Sequence, residues 1–321
     1  MPVTPLNIAH RGGADLWPEN TLPAFEGAIA CGADGAELDV HLSSDGELVV
    51  FHDESLKPEI VRRGGTWITD RTPLKNLTAA ELASLDAGTL RPGSRYAARH
   101  PKQAKFDGIP IPRLAEVIAL AKSRSETFQL WIELKTDLMH PENGADPIVL
   151  AETAVALIED MDFAARTVFV SFDWRSLKRV RDLAPHIPFY ATTLPQSWFE
   201  PGNPPSEHGP PPENELAAWR AAHESGAPWE AGYFTSRHMA RHASLQHAVA
   251  ALGAAGWFPF WPDLNPETAA RSRALGLKLA AWTPPAGQAS SLMELGCTAI
   301  CCDDPVALRN NISTPESKTD F

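Results

Sequence analysis

Cysteine is scarce in this chain: four in 321 residues, Cys31, Cys297, Cys301 and Cys302, with neither a C-x-x-C pair nor a histidine at zinc spacing beside them. A disulfide framework and a structural zinc are not indicated, and the three cysteines in or beside the apolar run TAICC read as buried free thiols. No run of about 18 apolar residues occurs, so no integral membrane segment is expected. Basic clusters are missing too, apart from Arg62-Arg63 and scattered residues from Lys178 to Arg181. With a net charge of −12, the electrostatic footprint of a nucleic-acid partner is absent. The opening MPVTPLNIAHRGG shows no basic leader with an apolar core, and the expected location is the cytoplasm. The same acidity repels an anionic ligand at long range, so any phosphate site must carry its own positive charge.

What is present is an ordinary globular balance, 44% apolar and 21% charged. Short apolar runs recur, most of them separated by stretches of helical periodicity, which is the pattern of βα units around a parallel sheet. Nine strand candidates stand out: LNIAH, GAELDV, ELVVFHD, QLWIEL, TVFVSF, IPFYATT, WFPFWP, KLAAWT and TAICCD. The second and third are separated only by HLSSDG, too short for a parallel crossover, so they form an antiparallel hairpin turned at Asp45-Gly46. Eight strands remain, and the fold class expected is α/β, a TIM-type (β/α)8 barrel with a β-hairpin and loop insertions.

Helices are expected over LPAFEGAIACG, with Asn20 or Thr21 as N-cap and Gly32 as the stop, and over RLAEVIALAKS, DPIVLAETAVALIEDM, WRSLKRVRDLA, PETAARSRALG and the region of QASSLMELG. One domain, residues 1–311, is expected, with insertions at about 54–110 and 196–240 and a frayed polar tail at 312–321. The proline-dense run EPGNPPSEHGPPPEN within the second insertion reads as a surface loop.

Active sites of such barrels lie at the carboxyl ends of the strands, and the polar residues found there form a coherent set. The first run ends at His10-Arg11, the second at Glu37 and Asp39, the hairpin arm at His52-Asp53, and the next at Glu133 and Lys135. Members of each i, i+2 pair share a strand face. Taken singly, each has a plain explanation: a hydrogen-bonded structural histidine, a solvated E-x-D, a surface ion pair. Those explanations must hold separately at four strand ends, whereas one metal-phosphate site accounts for all. Three carboxylates, Glu37, Asp39 and Glu133, suit one hard divalent cation, Mg²⁺ or Ca²⁺. Arg11 offers a planar fork for phosphate oxygens and Lys135 a point charge, while His10 and His52 fit the two proton transfers of phosphodiester hydrolysis.

IAHRGG, PENTLPAF and GAELDVHLSSDGELVVFHDESL, followed by IPRLAEV, WIELK, VSF, the Trp-Thr of LAAWT and GCTAICCDDP, resemble the signature of the glycerophosphodiester phosphodiesterase family. The motifs come in family order and with family-like gaps. The resemblance implies metal binding by Glu37, Asp39 and Glu133, acid-base catalysis by His10 and His52, and phosphate contacts from Arg11 and Lys135. It also implies a small-molecule glycerophosphodiester as substrate, with Trp282 among the substrate-binding residues. Where family members often read W-T-V-N, this chain has Trp282-Thr283-Pro284-Pro285, losing an amide side chain and a backbone donor. The related sphingomyelinase D-like phospholipases are secreted and disulfide-bonded, features this sequence does not show. An amidohydrolase barrel would carry H-x-H on the first strand, and a non-catalytic binding barrel would have lost one of the seven positions that are intact here. Head group, Mg²⁺ against Ca²⁺ and oligomeric state stay open at this level.

Overall fold

The computed structural model describes residues 4–200, 202, 213–233 and 242–313. The strands are β1 (Leu6–Ala9), β2 (Gly35–Leu42), β3 (Leu48–Val50), β4 (Arg62–Arg63), β5 (Thr66–Trp67), β6 (Gln129–Leu134), β7 (Thr167–Ser171), β8 (Phe189–Thr193), β9 (Gly256–Pro259), β10 (Lys278–Trp282) and β11 (Ala299–Cys302). Eight of them, β1, β2 and β6 to β11, pair in parallel in chain order, and β1 bonds to both β2 and β11, which closes the barrel. A helix follows each barrel strand: α1 (Leu22–Ala30) after β1, and α2 (Ala79–Ala83), α3 (Arg95–Arg99) and α4 (Leu114–Arg124) after β2. Then come α5 (Pro147–Asp160), α6 (Trp174–Leu183), α7 (Glu213–Glu224), α8 (Leu245–Leu252), α9 (Pro266–Ala274), α10 (Ala289–Glu294) and α11 (Pro305–Ser313). The (β/α)8 barrel expected from the sequence is the fold observed.

Strand alternation divides the core in two. Leu38, Val40, Ile132, Leu134 and Phe169 point outward into the layer between strands and helices. Ile8, Trp131, Val168, Val170, Tyr190 and Phe258 fill the barrel. β2 is the longest strand because it outlasts its neighbour β1: its last residues pair with β3 in antiparallel register, Val40 opposite Val50 and Leu42 opposite Leu48. The hairpin turns where expected, with Gly46 at a φ of +80°, a conformation that costs glycine nothing.

Thr21 is the N-cap residue of α1, yet its hydroxyl donates back to the Pro18 carbonyl at 2.6 Å and does not cap the helix. Gly32 stops α1 with φ +77°. The insertion expected at about 54–110 folds around a core of its own, including Leu56, Ile60, Val61, Leu82, Leu85, Tyr96 and Ile111. At the carboxyl end, α11 carries Ile312 and Ser313, residues that read as tail, because Ile312 packs against the main core. Residues 314–321 lie outside the described residues, as do 201 and 203–212 of the proline-dense run.

Candidate active site

The sequence-predicted site residues converge at the carboxyl ends of the strands. His10 and Arg11 follow β1 directly, Glu37 and Asp39 lie on β2, His52 just beyond β3, Glu133 on β6 with Lys135 next to it, and Trp282 closes β10. Asp39 stands in register with Glu133 on the adjoining strand, so the two inward carboxylates meet. Glu37, two residues earlier, shares their face. Carboxylate oxygens of all three lie within 4.8 Å of one another, the single such cluster among the described residues.

Cations compensate part of this charge. Lys135 Nζ lies 3.0 Å from Glu133 and 3.3 Å from Asp39, and Arg11 Nε lies 3.6 Å from Asp39 Oδ2. The Asn20 amide donates to Asp39 Oδ2 at 2.8 Å. Burial alone would raise the Asp39 carboxyl, but Lys135, His52 and Arg11 hold it well below the usual range. Glu37 goes the other way: burial, then the charges of Asp39 and Glu133, push it well up, against Arg11. Glu133 is raised chiefly by burial, with Lys135 opposing. The cluster is therefore short of positive charge at Glu37.

Both histidines are oriented through Nδ1 by a carboxylate that the sequence reading did not assign. His10 Nδ1 pairs with Asp303 at 2.6 Å, and His52 Nδ1 with Asp53 at 2.6 Å. Each pairing leaves Nε2 for chemistry, and His10 Nε2 sits 3.8 Å from Glu37. Desolvation and the neighbouring Arg11 and Lys135 lower His52 to about 4 against the pull of Asp39. Asp303 lies just past the end of β11, so strand-end position alone marks it.

The turn that carries Arg11 has a backbone few residues adopt, with Arg11 at φ +51° and Gly12 at +83°. A Cβ on Gly12 would stand 2.7 Å from Ala24 Cβ, so glycine lets the turn lie flat on α1. Arg11 N then donates to Glu37 at 3.1 Å, tying this turn to the carboxylate cluster. The insertion after β3 adds Lys57, Tyr96, Arg99 and His100 to the wall of the same cavity, of about 290 Å³. Sequence reading missed these four because nothing local marks them. Facing them across the cavity are Phe172, Thr192, Trp198, Phe258, Trp282 and Thr283.

The family model for the "Glycerophosphoryl diester phosphodiesterase family" matches residues 10–307. The chain belongs to this family. A glycerophosphodiester phosphodiesterase from Caldanaerobacter subterraneus subsp. tengcongensis is 28% identical over 312 residues, 95% of this chain and 96% of that protein. A crystal structure carrying the family's name, from Silicibacter pomeroyi DSS-3, superposes with a TM-score of 0.79 at 28% identity, covering 97% of this chain and 94% of that one. An Oleispira antarctica phosphodiesterase in complex with the product sn-glycerol-3-phosphate shares the fold, with a TM-score of 0.66, 21% identity and 96% coverage of each chain.

As a glycerophosphoryl diester phosphodiesterase the chain is a phosphoric diester hydrolase, and the cavity wall opposite the insertion holds the Trp282-Thr283-Pro284-Pro285 turn. Thr283 sits at φ +51° just before Pro284, an unusual conformation for a β-branched residue, and its N–H donates to the Cys301 carbonyl at 2.8 Å. The hydroxyls of Thr283 and Thr192 and the indole Nε1 of Trp282 are buried with no hydrogen-bond partner among the described residues, as is Arg11 Nε. Buried polar atoms without partners are rare and costly, and all four residues line the one cavity. Trp282 packs its ring on Phe260 at 4.7 Å and edge-on to Phe172 at 5.9 Å.

Proposed function

We propose that this enzyme hydrolyses a glycerophosphodiester to sn-glycerol 3-phosphate and an alcohol, with one divalent cation, Mg²⁺ or Ca²⁺, held by Glu37, Asp39 and Glu133. The observation that carries this reading is the meeting of three carboxylates with Arg11 and Lys135: Glu37 and Glu133 line the cavity with both cations, and Asp39 lies buried within 4.8 Å of the two. The donor set fits a hard cation: it is all oxygen, it is buried, and Glu37 is driven toward protonation by burial and then by the charges of Asp39 and Glu133, both of which a bound cation offsets. When bound, such a cation supplies positive charge to a phosphoryl oxygen and to the transition state. The product complex of the Oleispira antarctica phosphodiesterase supports the product named here.

Arg11 and Lys135 bind the phosphodiester, which answers the repulsion of a −12 protein. Trp282 Nε1, Thr192 and Thr283 supply hydrogen bonds for substrate hydroxyls. A free hydroxyl on the glycerol is the first nucleophile. Its oxygen bonds to phosphorus while the bond from phosphorus to the leaving alcohol breaks; His10 Nε2 takes the hydroxyl proton and His52 protonates the departing alkoxide. Water then opens the cyclic glycerophosphate, and the two histidines exchange roles. The adjacent hydroxyl is tethered to the phosphorus it attacks, and such nucleophiles reach effective molarities of about 10⁵ M or more.

Release of sn-glycerol 3-phosphate from glycerophosphocholine and other head groups, with and without EDTA, tests the reaction and the cation together. Activity that survives EDTA removes the cation from the scheme. A diester whose glycerol is replaced by propyl, lacking the adjacent hydroxyl, tests the nucleophile: it should bind and turn over poorly. A rise in KM with kcat within about tenfold of the natural substrate would mean that only uniform binding was lost and that water attacks directly.

A further inference from the structure

Besides Lys57, the insertion at about 54–110 reaches into the active site through one short stretch, and that stretch is stitched along the loop bearing Arg11. Tyr96 bonds to Arg11 and Glu19, His100 Nδ1 pairs with Asp15 at 2.8 Å, Gln103 Nε2 donates to the Ala14 carbonyl at 2.8 Å, and Ala104 N donates to the Leu16 carbonyl at 2.8 Å. The loop so held starts and ends on residues in the left-handed region, Arg11 at φ +51° and Asn20 at φ +57°. Such conformations persist only where surroundings over-determine them.

Tyr96 is the deepest of these stitches. Arg11 Nη1 donates to the Tyr96 hydroxyl at 3.2 Å and to Glu19 Oε1 at 3.0 Å, and the Tyr96 hydroxyl donates to Glu19 Oε2, which closes a three-membered ring of contacts. Tyr96 and Glu19 are both buried. The ring of Tyr96 is fixed independently of its hydroxyl, by the Lys57 ammonium at 4.2 Å, the Arg99 guanidinium at 4.8 Å and the His100 ring at 5.1 Å. Burial and the Glu19 charge push the Tyr96 phenol well up, so it keeps the proton it donates.

We propose that Tyr96 is a positioning residue: with Glu19 it occupies Nη1 of Arg11 and so aims the rest of the guanidinium at the substrate phosphate, and the insertion acts on catalysis by delivering it. This rests on reading Arg11 as a phosphate ligand. Two contacts take one nitrogen, while Nε, buried and without a hydrogen-bond partner among the described residues, meets Asp39 Oδ2 only at the ion-pair distance of 3.6 Å and so stays open to a ligand. A guanidinium is a rigid fork, so fixing one tooth fixes the others. Lysine has no second tooth to aim.

The experiment is a double-mutant cycle of Tyr96→Phe and Arg11→Lys, read by kcat and KM on glycerophosphocholine, by the dissociation constant of sn-glycerol 3-phosphate, and by urea midpoint. Tyr96→Phe keeps the ring and its three contacts and removes only the hydroxyl. Its kcat/KM and its product affinity should each fall by about ten- to a hundredfold, the range for a hydrogen bond to a charged group. In the Arg11→Lys background the same change should cost less than about threefold, because nothing remains to be aimed. Glu19→Gln, which also leaves the Tyr96 ring in place, should lower product affinity and be similarly non-additive with Tyr96→Phe. Full multiplicative losses in the double mutant, or a Tyr96→Phe change that moves only the urea midpoint, would overturn the proposal. Turnover by the unmutated enzyme tests the reaction separately, since the ratio of product affinities reads the brace whether or not a given diester is cleaved.

Discussion

In the proposed mechanism, His52 is the residue at which the order of proton transfer is decided. In the protein alone, desolvation, Arg11 and Lys135 lower it to about 4 from the ordinary 6.5, so at neutral pH it is uncharged, with Nδ1 engaged by Asp53. An acid in the first step must be protonated. A bound phosphodiester places a negative charge between the two cations that repel the imidazolium, and the pKa of His52 then rises. The sign follows: between the lower pKa of the free enzyme and the higher one of the complex, the complex holds more protons, so binding at pH 6 takes a proton up. Calorimetric titration of the poorly turned-over propyl diester in two buffers of different ionisation enthalpy measures this directly. Uptake of a substantial fraction of a proton supports His52 as the acid; a binding enthalpy independent of buffer leaves it neutral in the complex and exchanges its role with that of His10. His52→Ala should cost on the order of a hundred- to ten-thousandfold in kcat, the usual worth of positioned proton transfer. Most of that loss should be recovered on a nitrophenyl leaving group, which needs little protonation.

The turn from β1 into α1 is where an element and the site depend on each other most closely. Gly12 has a positive φ and no room for a Cβ against Ala24, so Gly12→Ala must move the turn away from α1 or strain it. We expect a loss of about 1–3 kcal/mol in stability, measured by urea midpoint, and a fall in kcat/KM larger than that loss explains at temperatures where the variant is fully folded. A variant with normal kinetics would show that the turn does not set the site. The residues that open this turn, His10 and Arg11, were legible in the sequence, as were all nine strands of the main sheet, because each of these strands lies in an apolar run and the site residues end those runs. The hidden parts have a common physical cause. Tyr96 meets Arg11 across 85 residues of chain, and Asp303 meets His10 across 293, so no local pattern announces either contact. β4 and β5 are two residues each, too short to show an alternation. The insertion's separate core is likewise spread over many short apolar pieces, none with a clear period.

At the scale of the whole molecule the proposed cation is a ligand of the folded state alone, because Glu37 and Asp39 on β2 and Glu133 on β6 come together only when the barrel forms. Binding therefore adds stability by mass action: about 2.7 kcal/mol at a hundred times the dissociation constant. Globular proteins gain about 2 cal/mol/K of unfolding entropy per residue near 60 °C, so a chain of 321 residues has an unfolding entropy of about 0.7 kcal/mol/K. The expected rise in Tm is then about 4 °C at saturating cation, a shift that a thermal melt resolves. Relief of repulsion sets its pH dependence. Glu37 is pushed toward protonation by burial and by Asp39 and Glu133, so a cation competes with a proton there, and the shift should shrink as pH falls from 7 to 5. Glu37→Gln, Asp39→Asn and Glu133→Gln should each abolish most of the shift and most of the activity; Glu37→Gln and Glu133→Gln should leave the metal-free Tm within a few degrees or raise it, since burial disfavours both charges, whereas Asp39→Asn should lower it, since Lys135, His52 and Arg11 favour that charge. Titrating Mg²⁺ and Ca²⁺ in parallel melts then separates the two by the concentration at half-maximal shift. Equal melts with cation and with EDTA, in the unmutated enzyme at pH 7, would leave the three carboxylates as a buried charge network held by Lys135 and Arg11, with no cation to explain their convergence.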